Sequence, residues 1–244
     1  MKASPEDQAR LLDLLAHDTR VQQLAHQAKS LPEISELTEL EASAGAVRTQ
    51  LLEQTGERED TELEIKRIES DVEVVNARIA RDTERLEASS SVKDVAGLEA
   101  ELTSLRTRLS NLEDIELALM ETLDEREKAE QGTRQEFDEL QSRIADAQSK
   151  RDAALSEIGV EREAIASARA AVVATIPVDL VALYEKQRER YGIGASHLRG
   201  GVSSASGVKL HESDLADIRA AAPDDVVLCP SSNAILVRTA ESGL

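Results

Sequence analysis

Apolar residues recur at alternating steps of three and four along two stretches of the chain. The first carries Leu37, Leu40, Ala44, Val47 and Leu51, then Ile65, Ile68, Val72, Val75, Ile79 and Leu86. The second carries Val95, Leu98, Leu102, Leu105, Leu109, Leu112, Leu119 and Leu123, then Phe137, Leu140, Ile144 and Ala147, and continues to Val172. A mean step of about 3.5 residues winds helices around one another, with one narrow stripe buried on each. Ahead of both, Leu11, Leu14, Val21, Ala25 and Ala28 keep the same spacing, with Asp18 as a polar guest.

Local signals place the helix ends. Ser4-Pro5-Glu6-Asp7 offers an N-cap serine, a proline at the first helical position and acids in the first turn. Pro32 breaks the ladder and predicts a kink or a restart. Ala88-Ser89-Ser90-Ser91 predicts the reversal, with Ser91 capping the next helix and Asp94 three residues on. That helix extends to about Ala174, ahead of Ile176-Pro177, and would be about 120 Å long. A short link between two seams predicts an antiparallel hairpin, in which facing residues have numbers that add to about 180. Residues 152–172 then face 8–28.

The seam turns polar halfway. Gln54, Arg58 and Thr61 fill its positions on the outgoing helix, and Glu116, Arg126, Glu130 and Thr133 do so on the return, with Gly56 and Gly132 nearby. The pairing makes these defects coincide. A polar layer that fixes register is one reading; a hinge or a partner-docking point is the other.

Composition narrows the class. Aromatic residues are 1% of the 244, with no Trp, two Tyr and one Phe, which suits long helices better than a globular core. Net charge is −19, from 48 acids and 29 bases. Residues 177–244 hold 7 Lys/Arg against 9 Asp/Glu, so −17 lies on the first 176 residues. An acidic stalk repels nucleic acid, and any such contact falls to the tail. No apolar run approaches the roughly 20 residues of a membrane span, and the N-terminus lacks an apolar signal core, which predicts a cytoplasmic protein. A single cysteine excludes an internal disulfide framework.

The tail changes character. VDLVALYEKQRERYG predicts a short helix with Leu180, Leu183, Tyr184 and Gln187 on one face. Lys186, Arg188, Arg190 and Arg199, with His197, form the basic cluster and the candidate nucleic-acid or partner contact. A Gly/Ser-rich strip follows, GIGASHLRGGVSSASG, and then a helix that Ser213 would cap. Val226–Leu228 and Ile235–Val237 are short β-type runs around Cys229-Pro230-Ser231-Ser232-Asn233.

IPVDLVALYEKQRERYG, the GG strip, LADIRAAAPDDVVLCP and the terminal ILVR occur in an order and spacing that resembles the bacterial family joining a long helical hairpin to a C-terminal four-cysteine zinc ribbon. The resemblance implies a mainly α fold: a long antiparallel coiled-coil hairpin over 1–176, kinked near 32 and reversed near 88–92, then a short helix and a small zinc-ribbon-like β unit over 177–244. It places the family's zinc ligands at Ser203, Ser206, Cys229 and Ser232, so three of four are serine here. Hydroxyls do not ionise near neutral pH, and one thiolate does not hold zinc. His197 and His211 flank the first ligand pair without a paired spacing. The expectation is a degenerate ribbon without cofactor, in which Asn233 takes the left-handed position.

No nucleophile elbow, phosphate loop, dinucleotide fingerprint or zinc-protease motif is present, which argues against an enzyme. The sequence points to a non-catalytic interaction or scaffold protein that meets a protein partner through its coiled coil. The alternative is a nucleic-acid-binding or transcription-associated regulator acting through the tail, as zinc ribbons often do. A hairpin that satisfies its own seam allows a monomer, while Leu12, Leu15 and Leu24 at its base are free to pair with the tail or a second chain.

Overall fold

The computed structural model describes residues 1–244. Helices α1 (Pro5–Lys29), α2 (Pro32–Ala88) and α3 (Val92–Val173) precede α4 (Val178–Tyr191) and a mixed tail of β1 (Ala195–Arg199), β2 (Val202–Ser203), α5 (Glu212–Ala220), β3 (Val227–Leu228) and β4 (Ile235–Val237). The Ser4 hydroxyl accepts the Asp7 N–H at 3.1 Å, with Pro5 opening α1. Pro32 restarts the helix instead of bending it: α1 ends at Lys29, and Pro32 is the first residue of α2, where its missing N–H costs no hydrogen bond. At the reversal, Ser91 O accepts the Val95 N–H at 3.0 Å and Ser91 Oγ receives the Asp94 N–H at 3.5 Å.

The chain forms two compact units, Ser35–Gln148 and Met1–Ile34 with Ser149–Leu244. These bounds differ from a division at Ile176, because the base of the hairpin belongs with the tail.

In Ser35–Gln148, α2 and α3 run antiparallel and bury two apolar segments. One joins Leu37, Leu40, Ala44 and Val47 to Leu140, Ile144 and Ala147; the other joins Val75 to Leu105 and Leu112. Between them lies the polar layer. Arg58 Nε donates to Glu130 at 2.7 Å, Thr55 Oγ1 donates to the same carboxylate at 3.1 Å, and Arg134 donates to it at 3.0 Å. Arg126 reaches the Glu57 carbonyl at 2.6 Å and the Thr61 hydroxyl. Thr61, Glu130 and Thr133 are buried, and Gln54 Oε1 is buried beside them without a hydrogen-bond partner. Arg134 and Arg58 hold the Glu130 carboxyl below its ordinary range, with Thr55 adding to them.

In the other unit, α1 packs along the end of α3 and on the tail. Leu24 buries itself against Leu31 and Ile158. It is 1% exposed, which corrects the expectation of a free leucine: restarting the helix at Pro32 turns Leu31 inward to cover it. The Gly/Ser strip supplies β1 and β2. The sheet order is β2-β1-β4-β3, with β1 parallel to β4 and the other pairs antiparallel. Both faces are covered. Ala195, Ile235 and Val237 meet Leu11, Leu14, Leu180 and Tyr184 on one side. Leu198 and Leu236 meet Leu210, Leu215, Ile218 and Cys229 on the other. Alternation along β1 and β4 sends neighbours to opposite faces, which is why β4 is wholly buried. α5 begins one residue before the expected cap. His211 takes the N-cap position without a side-chain bond, and Ser213 lies inside the helix.

Removing one member of the Arg58–Glu130 pair strands the other inside the seam, whereas replacing both with leucine extends the seam. Glu130→Ala should therefore lower the melting temperature followed by circular dichroism, and the double variant Arg58→Leu/Glu130→Leu should restore it.

Candidate functional site

The most interconnected polar site is built on Asp18. The heptad spacing that buries Leu11 and Leu14 also points Asp18 inward, where it is 8% exposed. α3 brings Arg169, and α4 brings Tyr184, Glu185 and Arg188. Arg169 Nε donates to Asp18 Oδ1 at 2.7 Å and its Nη2 to Oδ2 at 3.3 Å, a forked pairing that fixes direction as well as distance. Tyr184 Oη donates to Oδ2 at 2.7 Å, and Arg188 Nε lies 3.6 Å from the same oxygen. Glu185 bridges both arginines: it accepts Arg169, and Arg188 Nε donates to it at 2.8 Å.

Burial pushes the Asp18 carboxyl up, but the bonds from Arg169 and Tyr184 and the nearby Arg188 outweigh it, and the net shift is downward. The bond to Asp18 raises Arg169 above its ordinary value, and burial together with Asp18 pushes the Tyr184 phenol up. These shifts keep Asp18 and Arg169 charged and Tyr184 protonated, so the site is suited to holding three helices together. Gly194 completes it: a Cβ there would stand 2.6 Å from the Tyr184 ring, so only glycine admits the ring at this depth.

The second site is in the tail, where two loops repeat one backbone pattern. In the first, Ser203 N–H donates to Val208 O at 3.2 Å, Gly207 N–H to Ser203 O at 2.8 Å, and Val208 N–H to Ser206 Oγ at 3.3 Å. In the second, Cys229 N–H donates to Ala234 O at 2.8 Å, Asn233 N–H to Cys229 O at 2.8 Å, and Ala234 N–H to Ser232 Oγ at 3.4 Å. Gly207 at φ +66° and Asn233 at φ +57° take the left-handed position at the same place in each loop. Ser203 and Cys229, the matching residues, meet at 3.3 Å. The zinc that the family resemblance implies does not fit this donor set: three of the four positions offer un-ionised hydroxyls, and no group of three or more His, Cys, Asp and Glu side chains could hold a metal ion. His197 instead bonds Thr239 Oγ1 at 2.9 Å.

The basic residues are placed unequally. Arg188 is committed to the Asp18–Glu185 network, and Arg199 pairs with Glu241 at 2.8 Å. Lys186 is exposed, and Arg190 stands 5.4 Å above the Tyr191 ring on the surface. The sequence reading passed over Arg238. Its guanidinium donates to the carbonyls of Ile218, Ala221, Ala222, Pro223 and Asp225 at 2.7–3.2 Å, closing the end of α5 and the turn after it. The first residues join the same turn: Ala3 N–H donates to Asp224 O at 2.8 Å and Val226 N–H to Met1 O at 3.1 Å.

No helix is long and apolar enough to cross a membrane. The family described as CT398-like coiled coil hairpin domain matches residues 14–192. An uncharacterized protein of Mycobacterium tuberculosis is 36% identical over 242 residues, 98% of each chain. A solved structure from Mycobacterium smegmatis superposes with a TM-score of 0.90 at 37% identity, covering 98% of this chain and 100% of that one. The structure of CT398 from Chlamydia trachomatis, at 18% identity and a TM-score of 0.68, covers 95% of this chain and 97% of its own and shares the fold.

Asp18→Asn leaves Arg169 and Arg188 facing an uncharged amide. The expected loss at pH 7 is about 3 kcal/mol, at the low end for a broken buried pair because both arginines keep some solvent contact. The native carboxyl titrates below the ordinary value of about 3.9. Its stabilisation is therefore complete above that pH and lost as pH falls through the native value. Urea titrations of the native chain and the variant should give curves that converge only in strong acid.

Proposed function

We propose that this chain, which belongs to the CT398-like coiled coil hairpin family, is a non-catalytic interaction protein that meets a protein partner through its coiled coil. The observation that carries this reading is the surface of α3 beyond the seam. The seam between α2 and α3 is satisfied within the chain, yet Leu117 and Met120 stand 61% and 54% exposed. Three residues apart on a helix, they share one face. Glu113, Glu121 and Asp124 lie within a turn of them. Such a face suits a partner helix whose apolar stripe is edged with Lys or Arg. The Asp18 site agrees with a role in holding, since Arg169, Tyr184 and Arg188 already surround its carboxylate.

A second reading, nucleic-acid contact through the tail, is favoured by one feature. Arg190 over Tyr191, beside the exposed Lys186, offers a stacking and phosphate-binding corner. The −19 charge opposes it, and the pairing of Arg188 and Arg199 removes two of the four cations expected there.

Photo-crosslinking in native cytosol separates the two. With a crosslinker at Glu121, the chain should give a discrete protein adduct that Leu117→Glu/Met120→Glu abolishes without changing the melting temperature, since both side chains face solvent. An adduct indifferent to the double variant would count against the coiled-coil face. A salt-sensitive RNA or DNA shift lost in Lys186→Ala/Arg190→Ala would favour the tail.

A further inference from the structure

The two loops of the tail, 203–208 and 229–234, have the same hydrogen bonds at the same places, 26 residues apart. Paired loops with side chains at the first and fourth positions are the framework on which Cys-x-x-Cys sites hold zinc, and in such sites the metal supplies much of the folding energy by joining the loops. Here the first positions are Ser203 and Cys229, and the fourth are Ser206 and Ser232.

The loops are joined all the same. The Cys229 thiol donates to Ser203 Oγ at 3.3 Å, the two hydroxyls of Ser203 and Ser196 lie 2.7 Å apart, and Ser196 reaches Ser204 Oγ at 3.4 Å. One direction of donation satisfies the whole chain: thiol to Ser203, Ser203 to Ser196, Ser196 to Ser204. Ser196 also accepts the Ala205 N–H at 3.1 Å, and Ser204 accepts the His197 N–H at 2.9 Å. Cys229, Ser203 and Ser196 are fully buried, and Cys229 packs with Leu198, Leu210, Leu215, Ile218 and Leu236. An unpaired hydroxyl at such a depth would be costly; here none is left unpaired.

We propose that this buried thiol–hydroxyl chain does the joining that a metal ion does between paired Cys-x-x-Cys loops, so that the tail folds independently of zinc supply. Thiolates need the metal to offset their charge, whereas hydroxyls close the same gap uncharged. The backbone framework of the loops is kept, so the metal-binding geometry is latent and three substitutions restore its donors.

The test uses the full chain. The native protein, purified from zinc-supplemented cells, should carry far less than one zinc per chain by elemental analysis, and a chelator should leave its melting temperature unchanged. Ser203→Ala should lower the melting temperature of the tail-containing unit by about 3 °C. Ser203→Cys/Ser206→Cys/Ser232→Cys should bind one Co(II) per chain with the visible absorption of a tetrahedral tetrathiolate, and should then become chelator-sensitive. Near-stoichiometric zinc in the native chain, a chelator-dependent fall in its melting temperature, or an unchanged melting temperature in Ser203→Ala would overturn the proposal. So would a triple variant that gives no tetrahedral Co(II) spectrum, whether it is isolated folded or is offered the metal during refolding.

Discussion

The base of the hairpin and the tail depend on a buried carboxylate. Asp18 occupies a position that the heptad repeat reserves for an apolar side chain, and removing a charge from water there is unfavourable unless every lone pair finds a donor. Arg169, Tyr184 and Arg188 supply the donors from two other helices. Their geometry is directional in a way that leucine packing is not. The fork of Arg169 sets the rotation of α3 against α1, and the phenol of Tyr184 sets the depth of α4. The sheet then rests on Tyr184 and Leu180 through Ala195, Ile235 and Val237. Apolar burial supplies the bulk of the driving force, but it would tolerate a helix slid by a turn; the carboxylate does not.

The polar layer of the paired helices follows the same logic with different chemistry. Glu130 collects Arg58, Arg134 and Thr55, while Arg126 spans to Glu57 and Thr61. The apolar steps on either side would accept a register shift of seven residues with little change in contact. Charges that must meet one another admit only one alignment. Each unit thus carries its own means of selecting a single arrangement.

The helices were legible because periodicity is a local property. The cap at Ser4, the restart at Pro32, the reversal at Ser89–Ser91 and α4 with its face of Leu180, Tyr184 and Gln187 all follow from residues within a few positions of each other. Asp18 stood out as polar in an apolar stripe, but its partners lie about 150 residues away and no local pattern names them. β1 and β2 were not placed residue by residue because Gly200, Gly201 and the serines carry no strand alternation of their own. Strand pairing there is imposed by β4, which arrives from the end of the tail. Leu24 read as exposed because its cover, Leu31, sits in the break between α1 and α2. Arg238 carried no motif; its role emerges only when the turn of carbonyls folds around it.

Residues 1–3 are stitched to the turn at 224–226, which has a consequence for the order of events during synthesis. α1 leaves the ribosome before its partners on α3, α4 and the sheet are made. Loop closure over so long a separation is slow, and contacts of high sequence distance are late to form. The α2–α3 pair needs only residues up to Gln148 and can zip from the reversal while the rest is still being made. For that interval Leu11, Leu14 and Asp18 are without their native cover.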